Sequence, residues 1–126
     1  MPQRESRCPC GNDMNYPDCC EPLHSRQVKA ESPQQLMRSR YSAYVFQLND
    51  YLLATWHPSS RPDTLMLSDQ PQWMKLEILS SKQRGDKGRV HFRAFYRDND
   101  DIGYMEEVSD FVCEQGYWFY LRGKVK

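Results

Sequence analysis

SPQQLMRSRYSAYVFQL, residues 32–48, is the stretch on which the fold class turns. Ser32 can cap a helix and Pro33 suits its first position, where a missing N–H costs nothing. Leu36, Met37, Arg40, Tyr41, Tyr44, Val45 and Leu48 then recur at three- and four-residue spacing, so they share one helical stripe. Such a stripe has to be buried against something. One member is out of place: Arg40 lies in the stripe, not on the polar side.

Working outward, Asn49-Asp50 breaks this helix and caps a second short one, YLLATWH, stopped by Pro58. SSRPDTLMLSDQP (59–71) is a turn-rich connection with a helical turn predicted around residues 63–67. From Trp73 the period changes to two. WMKLEILSS alternates Met74, Leu76 and Ile78 against Lys75 and Glu77, and RVHFRAFYR sets Val90, Phe92, Ala94 and Tyr96 opposite Arg89, His91, Arg93 and Arg97. GYMEEVSDFVCEQGYWFYLRG (103–123) reads as two strands around a tight turn at Glu114 to Gly116. Charged hairpin connections fall at 84–88 and 98–101. Helices followed by a run of antiparallel strands predict an α+β domain with helices on one face of the sheet.

Before the helix stands CPCGNDMNYPDCC (8–20), which holds four of the five cysteines. Adjacent cysteines such as Cys19 and Cys20 cannot bridge each other without strain. Two bridges between the pairs are conceivable in a secreted domain, but nothing here signals secretion. The alternative is a zinc site in which four thiolates from Cys8, Cys10, Cys19 and Cys20 would complete a tetrahedron with bonds of about 2.3 Å, and His24 is near enough to replace Cys20. Such a site has no open position, so its zinc is structural. Pro9 stiffens the first pair, and Gly11 can take a positive φ. A short polar connector is predicted from Glu21-Pro22 to about Ser32.

C-x-C-x8-C-C resembles the SEC-C motif, the zinc module at the C-terminal end of the translocase ATPase SecA, whose usual form is close to CPCGSGKKYKKCC. This chain keeps CPCG, Tyr16 and the final CC, and has DMN and PD where that motif is lysine-rich. A docking role carried by those lysines is therefore not expected. The order of helices and strands resembles the cystatin-like cone of the nuclear transport factor 2 superfamily, in which a curved sheet wraps a long helix. LMRSRYSAY, YLLATWHP, EVSDF and GYWFYLRG, with the cysteine cluster, resemble the uncharacterised YchJ-type family across nearly the whole chain. The resemblance implies a SEC-C zinc motif over residues 1–26 and a cystatin-like α+β domain over 27–126. Many relatives carry a second SEC-C motif at the far end. This sequence ends in RGKVK without one, so paired zinc modules are not expected.

Composition narrows the function. Seventeen Lys and Arg balance seventeen Asp and Glu, which argues against bulk electrostatic binding of nucleic acid. The charged start MPQRESR has no apolar segment, and no run is long enough to span a membrane, so a cytoplasmic location with reduced thiols is expected.

Arg40 in an apolar stripe calls for a carboxylate, and Glu107 is the expected partner. On its strand the in-facing set reads Met105, Glu107, Ser109, Phe111 and Cys113. The two are either a structural ion pair or the polar floor of a pocket. His57, at the end of the second helix, is a candidate acid–base group or a packing residue. Trp56, Tyr41 and Tyr51 form an aromatic wall or plain core, and His91 reads as a solvated surface residue. Two functions follow: a non-enzymatic adaptor that meets another protein through the zinc knuckle, or a small-molecule enzyme using His57, Arg40 and Glu107. A cavity lined by all three favours the second.

Overall fold

In the computed structural model, residues 7–67 and 70–126 are described. The order is a 3-10 turn at Tyr16–Asp18, α1 Glu21–His24, α2 Pro33–Phe46, α3 Asn49–Ala54, β1 Gln72–Arg84, β2 Lys87–Asp98, β3 Asp101–Glu114 and β4 Tyr117–Val125. The four strands form one antiparallel meander in the order β1-β2-β3-β4. The polar connector is thus interrupted by one helical turn, α1, which inserts Leu23 into the core.

α2 starts as its sequence predicts. Ser32 Oγ accepts from the Gln35 N–H at 3.1 Å, and Pro33 sits in the first turn. It ends where Gln47 adopts a left-handed conformation. The stripe buries Leu36, Met37, Arg40 and Tyr41 against Leu76, Val90, Phe92, Ala94 and Phe111 of the sheet. Each fully buried large side chain contributes roughly 1.5–3 kcal/mol relative to exposure.

A second face of α2 is buried as well. Ser39, Ser42 and Ala43 are wholly inaccessible. His24, just past the cysteines, meets Ser39 O and Ser42 Oγ, the Ser39 hydroxyl meets that of Tyr51, and Ala43 joins the main core.

Four local expectations are corrected. Asn49 does not cap α3; Leu48 occupies that position, while Asn49 Nδ2 donates to the Leu65 carbonyl at 3.0 Å. Residues 63–67 carry no helical turn, and Ser68 and Asp69 of that connection lie outside the described residues. In β1 a register shift between Trp73 and Lys75 reverses the alternation, so Met74 faces out and Trp73 packs on the core. α3 stops at Ala54, before Pro58. Residues 55–57 then pair with β4: the Tyr120 N–H donates to Thr55 O and the His57 N–H to Tyr120 O, both at 2.8 Å.

Candidate functional site

The four cysteines converge although nothing covalent joins them. Their Sγ atoms all lie within 4.8 Å of one another, with Cys10 to Cys19 at 3.5 Å and Cys19 to Cys20 at 3.9 Å. A disulfide needs about 2.05 Å, and all five cysteines are free thiols. A tetrahedron with metal–sulfur bonds of about 2.3 Å has edges of about 3.8 Å, so the donor set fits a metal that favours sulfur.

The turns behind the cluster follow from its sequence. Gly11 takes φ 82°, its N–H donates to Cys8 O at 3.3 Å, and the Cys8 N–H returns to Met14 O at 2.8 Å. The 3-10 turn brings Cys19 back, its N–H on Tyr16 O at 3.0 Å.

The electrostatics point the same way. Hydrogen bonds from Cys10 and Cys20 hold the Cys8 thiol down to about 2. At Cys10 a hydrogen bond from Cys20 pulls downward, but donation to Cys8, burial and the Cys8 charge outweigh it and push the thiol up to about 12. Hydrogen bonding to Cys10 and Cys8, then burial, raises Cys20; burial raises Cys19. Thiols pushed up in this way ionise together only with a cation among them.

His24 stands behind the cluster. Its Nε2–H donates to Ser39 O at 2.8 Å, which leaves Nδ1 to accept from Tyr16 Oη at 2.6 Å. With both ring nitrogens in these bonds, His24 anchors the segment to α2 while Cys20 supplies the fourth sulfur. Phe46 packs on the Tyr16 ring edge at 4.8 Å between centroids, and Arg38 Nη1 donates to Cys10 O at 2.7 Å. Sequence reasoning missed Arg38, Ser39, Ser42 and Phe46. The run of small residues on the second face of α2 was the available signal.

Inside the cone, Arg40 is 3% exposed and makes no ion pair with Glu107. Among the described residues no carboxylate lies within ion-pair distance of it. Its Nη1 donates to Leu52 O at 2.8 Å and Thr55 Oγ1 at 2.7 Å, and the guanidinium lies over the Trp56 and Tyr120 rings, 5.1 and 4.6 Å from their centroids. Carbonyl, hydroxyl and ring faces replace the carboxylate that its position called for. Glu107 instead accepts from Ser109 Oγ at 2.6 Å and from the Tyr120 hydroxyl at 3.5 Å.

Arg40 and Glu107 nevertheless face one cavity of about 230 Å³, walled by Tyr41, Trp73, Phe92 and Tyr120. His57 is not among its lining residues. It sits beside the β3–β4 turn, with Nδ1 held by the Ser59 hydroxyl and N–H. Its Nε2 is 3.0 Å from Glu114 Oε2, in ion-pair range but at an angle too poor for a hydrogen bond. The three candidates therefore do not form one constellation. Tyr51 donates to or accepts from Ser39 Oγ inside the core, Trp56 packs edge-on against Tyr120, and His91 is paired with Glu106 at 2.7 Å instead of standing free in solvent.

Comparison with known proteins agrees with this architecture. Residues 32–123 match the family described as "YchJ, middle NTF2-like domain". A UPF0225 protein of Corynebacterium efficiens is 42% identical over 94% of this chain and 93% of its own length. One from Shewanella sp. (strain MR-4) is 39% identical over 94% and 80%. The solution structure of a SEC-C motif containing protein from Rhodopseudomonas palustris superposes with a TM-score of 0.87 at 33% identity, covering 94% of this chain and 98% of that one. The crystal structure of a SEC-C motif containing protein from Psychrobacter arcticus gives 0.79 at 26% identity, covering 94% and 82%. With its cysteine cluster seated on the long helix of an NTF2-like cone, this chain belongs to the UPF0225 family of YchJ-type proteins.

Proposed function

We propose that this protein is a cytoplasmic, non-enzymatic adaptor whose N-terminal motif, residues 1–26 (of which 1–6 lie outside the described residues), carries one structural zinc and is presented to a partner protein by the cone of residues 27–126. The observation that carries this reading is the packing of four sulfurs within 4.8 Å of one another. Cys8, Cys10, Cys19 and Cys20 would hold the ion, which would supply the charge that lets all four thiols ionise. With four protein ligands there is no place for a substrate on the metal. Arg38, Ser39 and His24 tie the knuckle to α2, so its outward surface at residues 11–15 is displayed on a rigid support. Among the described residues no helix is long and apolar enough to cross a membrane.

Elemental analysis of purified protein tests the metal, with one zinc per chain expected and none refuting it. Isotope-labelled protein mixed with fractionated cytosol tests the adaptor. Broadening concentrated on residues 8–24 supports it, and broadening that spares them overturns it. The enzyme reading draws support only from the cavity that Arg40 and Glu107 share; the missing member is His57, which lines a different part of the surface.

A further inference from the structure

The cone cavity has the features of a built site. Gly123 on β4 makes room for the Glu107 carboxylate: a Cβ there would meet Glu107 Oε2 at 1.8 Å and Cδ at 2.4 Å. Glycine weakens a strand, so its use here marks a close approach that the chain accommodates. Ser109, itself 1% exposed, then fixes the carboxylate. No lysine, arginine or histidine among the described residues lies within ion-pair distance of Glu107. Tyr41 lines the same cavity, and its hydroxyl, buried on a residue only 3% exposed, has no hydrogen-bond partner among the described residues. Leaving such a group unpaired costs about 1–3 kcal/mol. Arg40 lines the same space, and the Tyr120 side chain spans from its guanidinium to Glu107.

This arrangement discriminates by charge. A ligand bearing only a positive charge meets the buried Arg40, and one bearing only a negative charge meets Glu107. A zwitterion satisfies both ends at once, and its acceptor end gives Tyr41 a partner. The volume of about 230 Å³ is below the range of roughly 300–1,000 Å³ that holds drug-sized ligands. The occupant is therefore small. Met37, Met105, Trp73 and Phe92 leave it an apolar lining.

We propose that the cone cavity binds a free α-amino acid with an apolar side chain, its ammonium on Glu107 and its carboxylate toward Arg40 and Tyr41. This does not depend on the metal or on the adaptor reading.

Calorimetry on the full chain as purified tests it with L-leucine, L-methionine and L-phenylalanine. Two truncated forms of leucine serve as controls: isoamylamine, which lacks the carboxylate, and 4-methylpentanoate, which lacks the ammonium. At least one amino acid should bind saturably, and leucine should bind about tenfold or more tighter than either control. Glu107→Gln should weaken leucine by about tenfold and narrow its advantage over 4-methylpentanoate, because the repulsion of the anion is lifted. Should that variant fail to fold, Tyr41→Phe, which removes only the hydroxyl, should weaken leucine several-fold. No saturable binding of the three amino acids up to about 20 mM, or controls that bind as well as leucine, overturns the proposal.

Discussion

Arg40 offers the sharpest test of how the core is held together. Arg40→Ala removes two charge-assisted hydrogen bonds, worth roughly 1.5–3 kcal/mol each, and contact with the Trp56 and Tyr120 rings, worth about 2 kcal/mol or more where desolvated. It also strips a partner from Leu52 O; Thr55 Oγ1 still has Tyr51 O, to which it donates at 2.8 Å. Against these losses stands relief from burying a cation, which costs several kcal/mol. The net expectation is a loss of about 3 kcal/mol, or about 10–20 °C in melting temperature for a chain of this length. Arg97→Ala, on the exposed end of β2, should stay within about 0.5 kcal/mol of wild type. Urea and thermal melts of both variants measure the difference. Arg40→Met keeps the stem without the charge and should fall between them. If Arg40→Ala and Arg97→Ala melt alike, the reasoning about the buried guanidinium is wrong. If Arg40→Met matches or exceeds wild type, the charge serves the cavity and not the fold.

Other outcomes follow from the same contacts. Chelation should open residues 8–24 to protease while circular dichroism of the four-stranded sheet persists, because the core of the cone contains none of the four cysteines. Tyr16→Phe should lower stability by about 1–2 kcal/mol, read in a denaturant melt, since His24 Nδ1 loses its buried donor. Gly88→Ala should cost about 1–3 kcal/mol by the same measurement, since the new Cβ would meet Pro33 Cγ at 2.1 Å and a proline ring cannot turn aside. Hydrogen bonds from His91 and Arg93 depress the Glu106 carboxyl below its ordinary value of 4.5. Its folded form is therefore favoured above that value, and the contribution disappears as pH falls through the depressed one. Melting temperature plotted against pH should accordingly drop less on the acid side for Glu106→Gln than for wild type.

The reading of the cone from sequence succeeded where one periodicity ran unbroken. Val90, Phe92 and Ala94 alternate without a bulge in β2, and all three are buried as their spacing predicts. It failed at Met74, because a register shift adds a residue to one strand and reverses every side chain beyond it. That shift depends on pairing with residues more than twenty positions away, so nothing local announces it. The in-facing set of β3 was legible, Glu107 included. The partner of Arg40 was not, because a carbonyl on α3 and two aromatic rings answered the need for which sequence could suggest only a carboxylate.

By itself, the sequence determined the class of the domain and marked out the four clustered cysteines. Both rest on short-range spacing: a helical stripe, alternating strands, and two close pairs of thiols with eight residues between them. Tertiary structure decided everything that joins distant segments. It seated the knuckle on the small residues of α2, turned His24 from a possible ligand into an anchor, and separated His57 from the cavity that Arg40 and Glu107 share. Spacing along a chain constrains neighbours within a turn or a strand. Which surfaces meet across the molecule is settled only when all of them compete for the same buried space.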